Sequence, residues 1–268
     1  MTTTTTMTEP ADQQQSSSPP QSGEEILVLY GSQTGNSESA AEQIQNLVPF
    51  RLLHPAPCRA RCMQLDDFLE FENAKWTRLV IIVCSSYGVG QAPLGARKFR
   101  ECCDAILEEE QKQQHSNENN SDKNTDKEKE KKFLKGVSFA LLGLGDSHYT
   151  TFFQNPTAIH DAMTAVGATR VGELGKADAS GTGEMDQSKV IERWIEGIWD
   201  DLAKIIATER SPNQQDMEGA SEATMALCFK LFPEWKAASG SASAYYYGVV
   251  ALGGVMLSMA AYLFLTRI

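Results

Sequence analysis

Residues 31–37 have the composition of an anion-binding loop. They read GSQTGNS and follow the apolar run at residues 26–30. Their hydroxyl and amide side chains can donate hydrogen bonds, and the helix predicted to follow would aim its first N–H groups at the same point. A nucleotide P-loop carries a lysine after its last glycine, but position 36 is asparagine. The loop therefore favours a single terminal phosphate held by neutral donors.

Two further loops have an unusual composition, at residues 85–95 (SSYGVGQAPLG) and 143–154 (GLGDSHYTTFFQ). Each combines closely spaced glycines with one tyrosine, Tyr87 or Tyr149. Ligands of open parallel sheets bind at the carboxyl ends of the strands, where these loops begin. Two aromatic rings on neighbouring loops can stack on a flat ligand, although for either tyrosine alone capping of the local core is the preferred interpretation. Neither loop contains G-x-G-x-x-G, the fingerprint of dinucleotide binding.

The elements that position these loops alternate between strand and helix. The predicted strands are residues 26–30, 58–63, 79–84, 137–142 and a short one at 170–174, and the predicted helices are 37–47, 94–110, 156–166 and 185–206. The third and fourth strands are continuously apolar, as strands buried on both faces are. This alternation predicts one α/β domain, residues 25–207, with a parallel sheet covered by helices.

Two polar segments lie outside this pattern. Residues 1–24 are rich in Thr, Gln, Ser and Pro and are predicted to be a disordered arm. Residues 111–132 carry balanced charge and no apolar side chain, which predicts a disordered, solvent-exposed insertion. The net charge of −11 argues against nucleic acid as a partner. The cysteines and histidines lack metal-site spacing, so we predict no metal ligand. The sequence shows no nucleophile paired with a base, so we predict no catalytic residue.

The C-terminal segment predicts a membrane anchor. Residues 245–265 contain no charged side chain and have about the length that a helix needs to cross a bilayer. Tyrosines near both ends resemble interfacial anchors. We expect a single-pass tail anchor with the domain on the cytosolic side, in the endoplasmic reticulum and not the mitochondrial outer membrane, because strongly basic flanks are absent. Residues 208–244 are predicted to be a tether, within which residues 225–238 could rest on the membrane or pack on the domain.

The loops resemble those of flavodoxin-like FMN domains, specifically the FMN modules of diflavin reductases such as microsomal NADPH cytochrome reductases and the sulfite reductase flavoprotein. GSQTGNS resembles their phosphate loop, SSYGVG their second flavin loop, GLGDSHYTTFFQ their third and LGKADASG their last. The resemblance implies a three-layer α/β sandwich with a five-stranded parallel sheet in the order 2-1-3-4-5. It also implies FMN as the cofactor.

The resemblance further implies a set of FMN contacts. The first loop would hold the phosphate, Tyr87 and Tyr149 would flank the flavin ring, and the Gly88 carbonyl would accept the N5 proton of the reduced flavin after a peptide flip. The implied residues are Ser32, Gln33, Thr34, Gly35, Asn36 and Ser37 at the phosphate, Ser85, Ser86, Tyr87, Gly88 and Gly90 in the second loop, Leu142, Gly143, Gly145, Asp146, Tyr149, Phe152 and Gln154 around the third, and Asp178 in the last.

The chain departs from the family where it usually carries acidic side chains. Val89 and Gln91 stand in the second loop, and Ala177 and Ala179 stand in the last, where acids are usual. The acidic surface that usually docks redox partners is therefore thinned.

The expected function is that of a membrane-tethered FMN electron carrier, because no FAD and NADPH module accompanies the FMN motifs. It would take electrons from a separate NADPH-dependent FAD reductase and pass them to a haem or iron-sulfur protein. Two alternatives stay open at this point. One is an NAD(P)H quinone-type reductase, and the other is a flavodoxin-like scaffold without a cofactor.

Overall fold

The computed structural model of the protein describes residues 23–54, 56–70, 73–117, 132–208 and 214–238. Its strands are β1 (Glu25–Gly31), β2 (Arg59–Gln64), β3 (Leu79–Ser85), β4 (Ser138–Gly145), β5 (Thr169–Arg170) and β6 (Gly175–Asp178). Its helices are α1 (Asn36–Arg51), α2 (Leu65–Phe68), α3 (Arg97–Asn117), α4 (Gln154–Ala165), α5 (Gln187–Gly197), α6 (Trp199–Ala207), α7 (Gln214–Leu231) and α8 (Pro233–Ala238), with a 3-10 turn at Gly183–Met185.

The strands form one parallel sheet in the order β2-β1-β3-β4-β5, and β6 also pairs with β4. This confirms the predicted order. The predicted fifth strand at residues 170–174 is wrong in extent, because β5 ends at Arg170 and pairing with β4 resumes only at Gly175. Gly172 separates the two pieces with a φ of 66°, which an extended strand does not allow. Within the described residues the sheet therefore has six strands and not five.

Both faces of the sheet are buried. Along β1, Leu27 and Leu29 point to the layer of α3, α4 and α7, whereas Ile26 and Val28 point to the layer of α1, α5 and α6. Successive side chains of a strand alternate in this way, so every residue of an apolar run finds a core. The result is the predicted three-layer sandwich.

Two predicted helical boundaries need correction. The helix predicted over 185–206 is divided into the 3-10 turn, α5 and α6, and Asp186 caps α5 by accepting a hydrogen bond from the Ser188 N–H at 3.0 Å. Helix α3 continues to Asn117, so the first part of the predicted disordered insertion is helical. Its glutamines and lysine are good helix formers, and Lys112 pairs with Glu108 one turn earlier at 3.6 Å. Residues 118–131 lie outside the described residues.

Residues 214–238, which belong to the predicted tether, pack on the domain, and for residues 225–238 this is the alternative that the sequence left open. The indole N–H of Trp76 donates to Thr224 Oγ1 at 2.7 Å, and Cys228 and Phe232 are buried in the core cluster beside α3. Small side chains at every fourth position of α7 let it approach the domain closely.

None of the helices described is long and apolar enough to cross a membrane. The predicted span at 245–265 falls outside the described residues, as do residues 1–22 of the predicted arm.

Candidate functional site

A cleft of ≈ 360 Å³ lies where β1, β3 and β4 end. Its walls come from the loop before α1, the loop after β3, the loop after β4 and the start of α5. The chain covers opposite faces of the sheet after β1 and after β3, so this is the point at which the winding reverses and α/β sheets bind ligands.

The phosphate loop supplies an uncapped helix end. Gly35 stands before α1 with a φ of 93°, and as a glycine it has no side chain to accept a hydrogen bond from the first N–H groups of the helix. The Gly35 N–H instead donates to Ser32 Oγ at 3.0 Å, which holds the turn. Gln33, Thr34, Asn36 and Ser37 line the cleft, whereas Ser32 and Gly35 shape the loop behind it. A Cβ at Gly35 would meet nothing within 4 Å, so the space above the turn is open.

Ser37 shows that this loop fits an anion. Its side chain is only 1% exposed, and its hydroxyl finds no hydrogen-bond partner among the described residues. Buried polar groups of this kind are rare in folded proteins and call for a missing partner. A phosphate at the end of α1 would accept from the hydroxyl and from the free N–H groups of the first turn.

The second loop is a small hairpin. The Tyr87 and Gln91 backbones exchange two hydrogen bonds, of 2.9 and 2.8 Å, and the turn between them carries Gly88 to Gly90. Ser85, Ser86, Tyr87 and Gly88 line the cleft, and the Tyr87 ring is 47% exposed. Gly90 does not line it, because it lies against Gln154. The hairpin thus contributes an aromatic residue, Tyr87, and a glycine, Gly88, to the wall of the cleft.

The third loop provides the second aromatic wall. Gly145, Asp146, Tyr149 and Phe152 line the cleft, and the Tyr149 ring is 55% exposed. The Asp146 carboxylate accepts from the His148 backbone N–H at 3.0 Å and contacts the His148 ring at 2.9 Å. These hydrogen bonds lower the pKa of Asp146, so the loop carries a fixed negative charge.

Some of the predicted contact residues support the cleft from behind. Leu142 is buried in the core between β4 and α5, and a Cβ at Gly143 would collide with the Phe153 ring. Gln154 begins α4 and packs against Gly90. None of these three residues lines the cleft, and the Leu142 side chain points from β4 into one of the layers that cover the sheet.

Asp178 also acts from behind the cleft. Its carboxylate accepts hydrogen bonds from the Ser147 N–H at 2.9 Å, the Ser180 N–H at 3.0 Å and the Ser180 hydroxyl at 2.9 Å. Burial raises the pKa of Asp178, but these hydrogen bonds outweigh that effect and hold it at about 2. The ionised carboxylate ties the third flavin loop to the last one.

Four lining residues escaped the sequence analysis: Leu144, Thr151, Ala179 and Gln187. The Thr151 hydroxyl lies 3.4 Å from the Gly88 carbonyl oxygen, to which it donates. The sequence predicts Gln187 inside a helix that starts at residue 185, whereas in the structure Gln187 is the first residue of α5. Only the position of the preceding cap, Asp186, could have signalled that it faces a ligand. The described residues contain no cluster of three or more side chains that could hold a metal ion.

Comparison with known proteins agrees with this geometry. The family model for flavodoxin matches residues 28–194. The chain belongs to the flavodoxin family. This flavodoxin domain is 29% identical over 194 residues to a bifunctional cytochrome P450/NADPH–P450 reductase of Bacillus cereus, a match covering 71% of the chain and 15% of that protein. It is 30% identical over 180 residues to the methionine synthase reductase of Caenorhabditis elegans, covering 67% of the chain and 22% of that protein.

A solved structure of oxidised flavodoxin 1 from Bacillus cereus is 16% identical, covers 70% of the chain and 99% of its own, and superposes with a TM-score of 0.45. The chain spans less than a quarter of the length of the two reductases. The predicted resemblance to the FMN modules of diflavin reductases is confirmed, and so is FMN as the cofactor. The residues of the cleft fit it, since the α1 loop offers donors for a phosphate and two tyrosines offer walls for a ring.

Proposed function

We propose that this FMN-binding electron-transfer domain is a membrane-tethered carrier. It takes electrons from a separate NADPH-dependent FAD reductase and passes them to a haem or iron-sulfur protein at the same membrane. The observation that carries the proposal is the difference in solvent exposure between the two ends of the cleft. Its anion-binding end is buried at Ser37, whereas the two tyrosines at its ring-binding end are about half exposed. An edge of the ring would therefore lie within reach of a partner protein.

The described side chains have binding roles in this function. The Ser37 hydroxyl and the first N–H groups of α1 would hold the phosphate, and Tyr87 and Tyr149 would stack on the ring and exclude water from its faces. Thr151 would hold the Gly88 carbonyl in the orientation from which the expected peptide flip starts. Bound FMN supplies the capacity to accept and release electrons, so the protein needs no nucleophile or acid of its own.

The choice of donor and acceptor draws on the relatives. The name of the Bacillus relative joins a cytochrome P450 to an NADPH–P450 reductase, and the second relative is named as a reductase. The name of the Bacillus relative supports NADPH as the distant source of electrons and a haem protein as one class of acceptor. Val89 and Gln91 stand where the family usually has acidic side chains that dock partners, so the acceptor is to be identified by experiment.

Electron transfer is tested with the full chain in detergent. We expect it to be yellow, to stay oxidised when mixed with NADPH alone, and to be reduced within seconds when a catalytic amount of an NADPH-dependent FAD reductase is added. Reduction by NADPH alone would favour an NAD(P)H quinone-type reductase instead. A colourless chain that takes up no FMN would favour the scaffold alternative.

The membrane tether rests on residues 245–265, which are uncharged and about as long as a bilayer span. The test compares the full chain with a variant that ends at residue 238. We expect the full chain to stay in the membrane fraction after alkaline carbonate extraction, at the endoplasmic reticulum, while the shortened variant is soluble and still binds FMN. Recovery of both proteins in the soluble fraction would refute the tether and leave the FMN site untouched.

A further inference from the structure

Gln187 connects three parts of the cleft through one side chain. Its Nε2 donates to the backbone carbonyls of Gly145, at 3.4 Å, and Ala177, at 3.2 Å. Its Oε1 accepts from Asn36 Nδ2 at 3.0 Å, across 151 positions of sequence. The phosphate loop, the third flavin loop and the end of β6 therefore meet at a residue that also lines the cleft.

These contacts fix the orientation of two amides. A carbonyl oxygen can only accept hydrogen bonds, so the Gln187 side chain must turn its nitrogen toward Gly145 and Ala177. Its oxygen must then face the phosphate loop, and Asn36 can meet that oxygen only with its own nitrogen. The Asn36 amide is thereby held with its NH₂ group toward α5, and one of the two hydrogens on that nitrogen stays outside the bond to Gln187.

We propose that Gln187 is a positioning residue for FMN binding. It keeps Asn36 in the orientation that gives the phosphate loop a donor. The inference rests on FMN as the cofactor and is independent of the membrane tether. Gln187 is not required to begin α5, because Asp186 already accepts hydrogen bonds from the Ser188 N–H at 3.0 Å and the Ser188 hydroxyl at 2.6 Å.

The main test is a double-mutant cycle in the full chain. FMN is removed, and the dissociation constant of FMN is measured by flavin fluorescence for the wild type, Gln187→Ala, Asn36→Ala and the double variant. We expect Asn36→Ala to weaken binding by about 10- to 150-fold, the worth of a hydrogen bond to a charged acceptor, and Gln187→Ala to weaken it by at least about 3-fold but by no more than Asn36→Ala does. The double variant should bind FMN no more weakly than the weaker single variant, because both changes remove the same interaction. Losses that multiply would show that Gln187 does not act through Asn36, and would overturn the proposal.

Two further measurements separate positioning from general support of the fold. Riboflavin lacks the phosphate, so Gln187→Ala should change its affinity by less than about twofold, within the usual effect of a neutral surface change. A loss for riboflavin equal to that for FMN would mean that Gln187 only supports the cleft. Lys189→Ala, on the same helix and paired with Glu184 outside the cleft, is the matched control and should bind FMN normally.

The conservative variant Gln187→Glu tests the assigned amide orientation through FMN affinity and its dependence on salt. Glutamate can still accept from Asn36, but it cannot donate to the two carbonyls, and it adds a negative charge close to the phosphate loop. We expect FMN binding to fall by more than in Gln187→Ala and to recover partly at high salt, since screening reduces like-charge repulsion. Wild-type affinity in Gln187→Glu would contradict the assigned orientation.

Discussion

Replacement of Ser37 by alanine should change the free protein and the FMN complex in opposite directions. Without a ligand the hydroxyl is buried and unpaired, and an unsatisfied polar group of this kind costs about 1–3 kcal/mol. Replacing Ser37 by alanine removes this cost but also removes the packing contacts of the oxygen atom. We therefore expect Ser37→Ala to stabilise the FMN-free protein by at most about 1 kcal/mol. The corresponding rise in melting temperature is about 2–4 °C.

The FMN complex should lose stability in the same variant. A hydrogen bond to a charged acceptor is worth about 1.5–3 kcal/mol, so the dissociation constant of FMN should rise by about 10- to 150-fold. Thermal unfolding of the FMN-free protein and a flavin fluorescence titration measure the two effects separately. Ser39→Ala is the matched control, because Ser39 is an exposed serine in the first turn of the same helix. A Ser37→Ala protein that melts earlier without FMN and binds FMN normally would show that Ser37 is a packing residue, and would refute the anion site.

The other predictions concern the elements that hold the cleft in place. Thr224→Val keeps the shape of the side chain but leaves the buried Trp76 indole N–H unpaired, and should lower the free energy of unfolding by about 1–3 kcal/mol in urea titrations; an unchanged midpoint would mean that α7 is not docked in solution. Arg78→Met removes a guanidinium that pairs with the Glu24 carboxylate at 2.6 Å and also donates to two carbonyls at the end of α6. It should lower the free energy of unfolding by about 3–5 kcal/mol, and by more than Glu24→Gln does. Equal losses in the two variants would argue against the carbonyl contacts. The folded pKa of Asp178 is about 2, below the usual value near 3.9, so its stabilising effect is present above pH ~4 and lost as the pH falls toward 2; FMN release on acid titration should depend less steeply on pH in this window in Asp178→Asn, where Asp146 still titrates, and an unchanged profile would contradict the role of Asp178.

Most of the sheet, and the positions at which its strands end, could be predicted from the sequence. Buried parallel strands need apolar side chains on both faces, and few other structures give runs such as residues 79–84. The loops at the strand ends were recognisable because ligand-binding loops require small and polar residues that a core excludes. The fifth strand was misplaced because Gly172 has a positive φ and leaves no room for a side chain beside Ile198, a contact that the local sequence does not reveal.

Contacts distant in sequence account for the other errors. Helix α7 buries Ala220, Thr224 and Cys228, small side chains that give little apolar signal, and a polar stretch with such residues resembles a linker. The roles of Gln187 and Thr151 depend on hydrogen bonds to Asn36 and Gly88 on other loops. Residue type and spacing within one segment contain no information about such partners.

The packing of α7 and α8 shortens the connection to the proposed membrane span. A free linker over residues 208–244 would separate its ends by about 30 Å on average and allow the domain to turn in any direction. With the chain fixed to the domain through residue 238, only residues 239–244 remain before the proposed span, and a segment of that length reaches at most about 20 Å. The flavin would then be confined to a thin layer above the bilayer, where its effective concentration toward a membrane-bound acceptor is far higher than toward a protein in bulk solution.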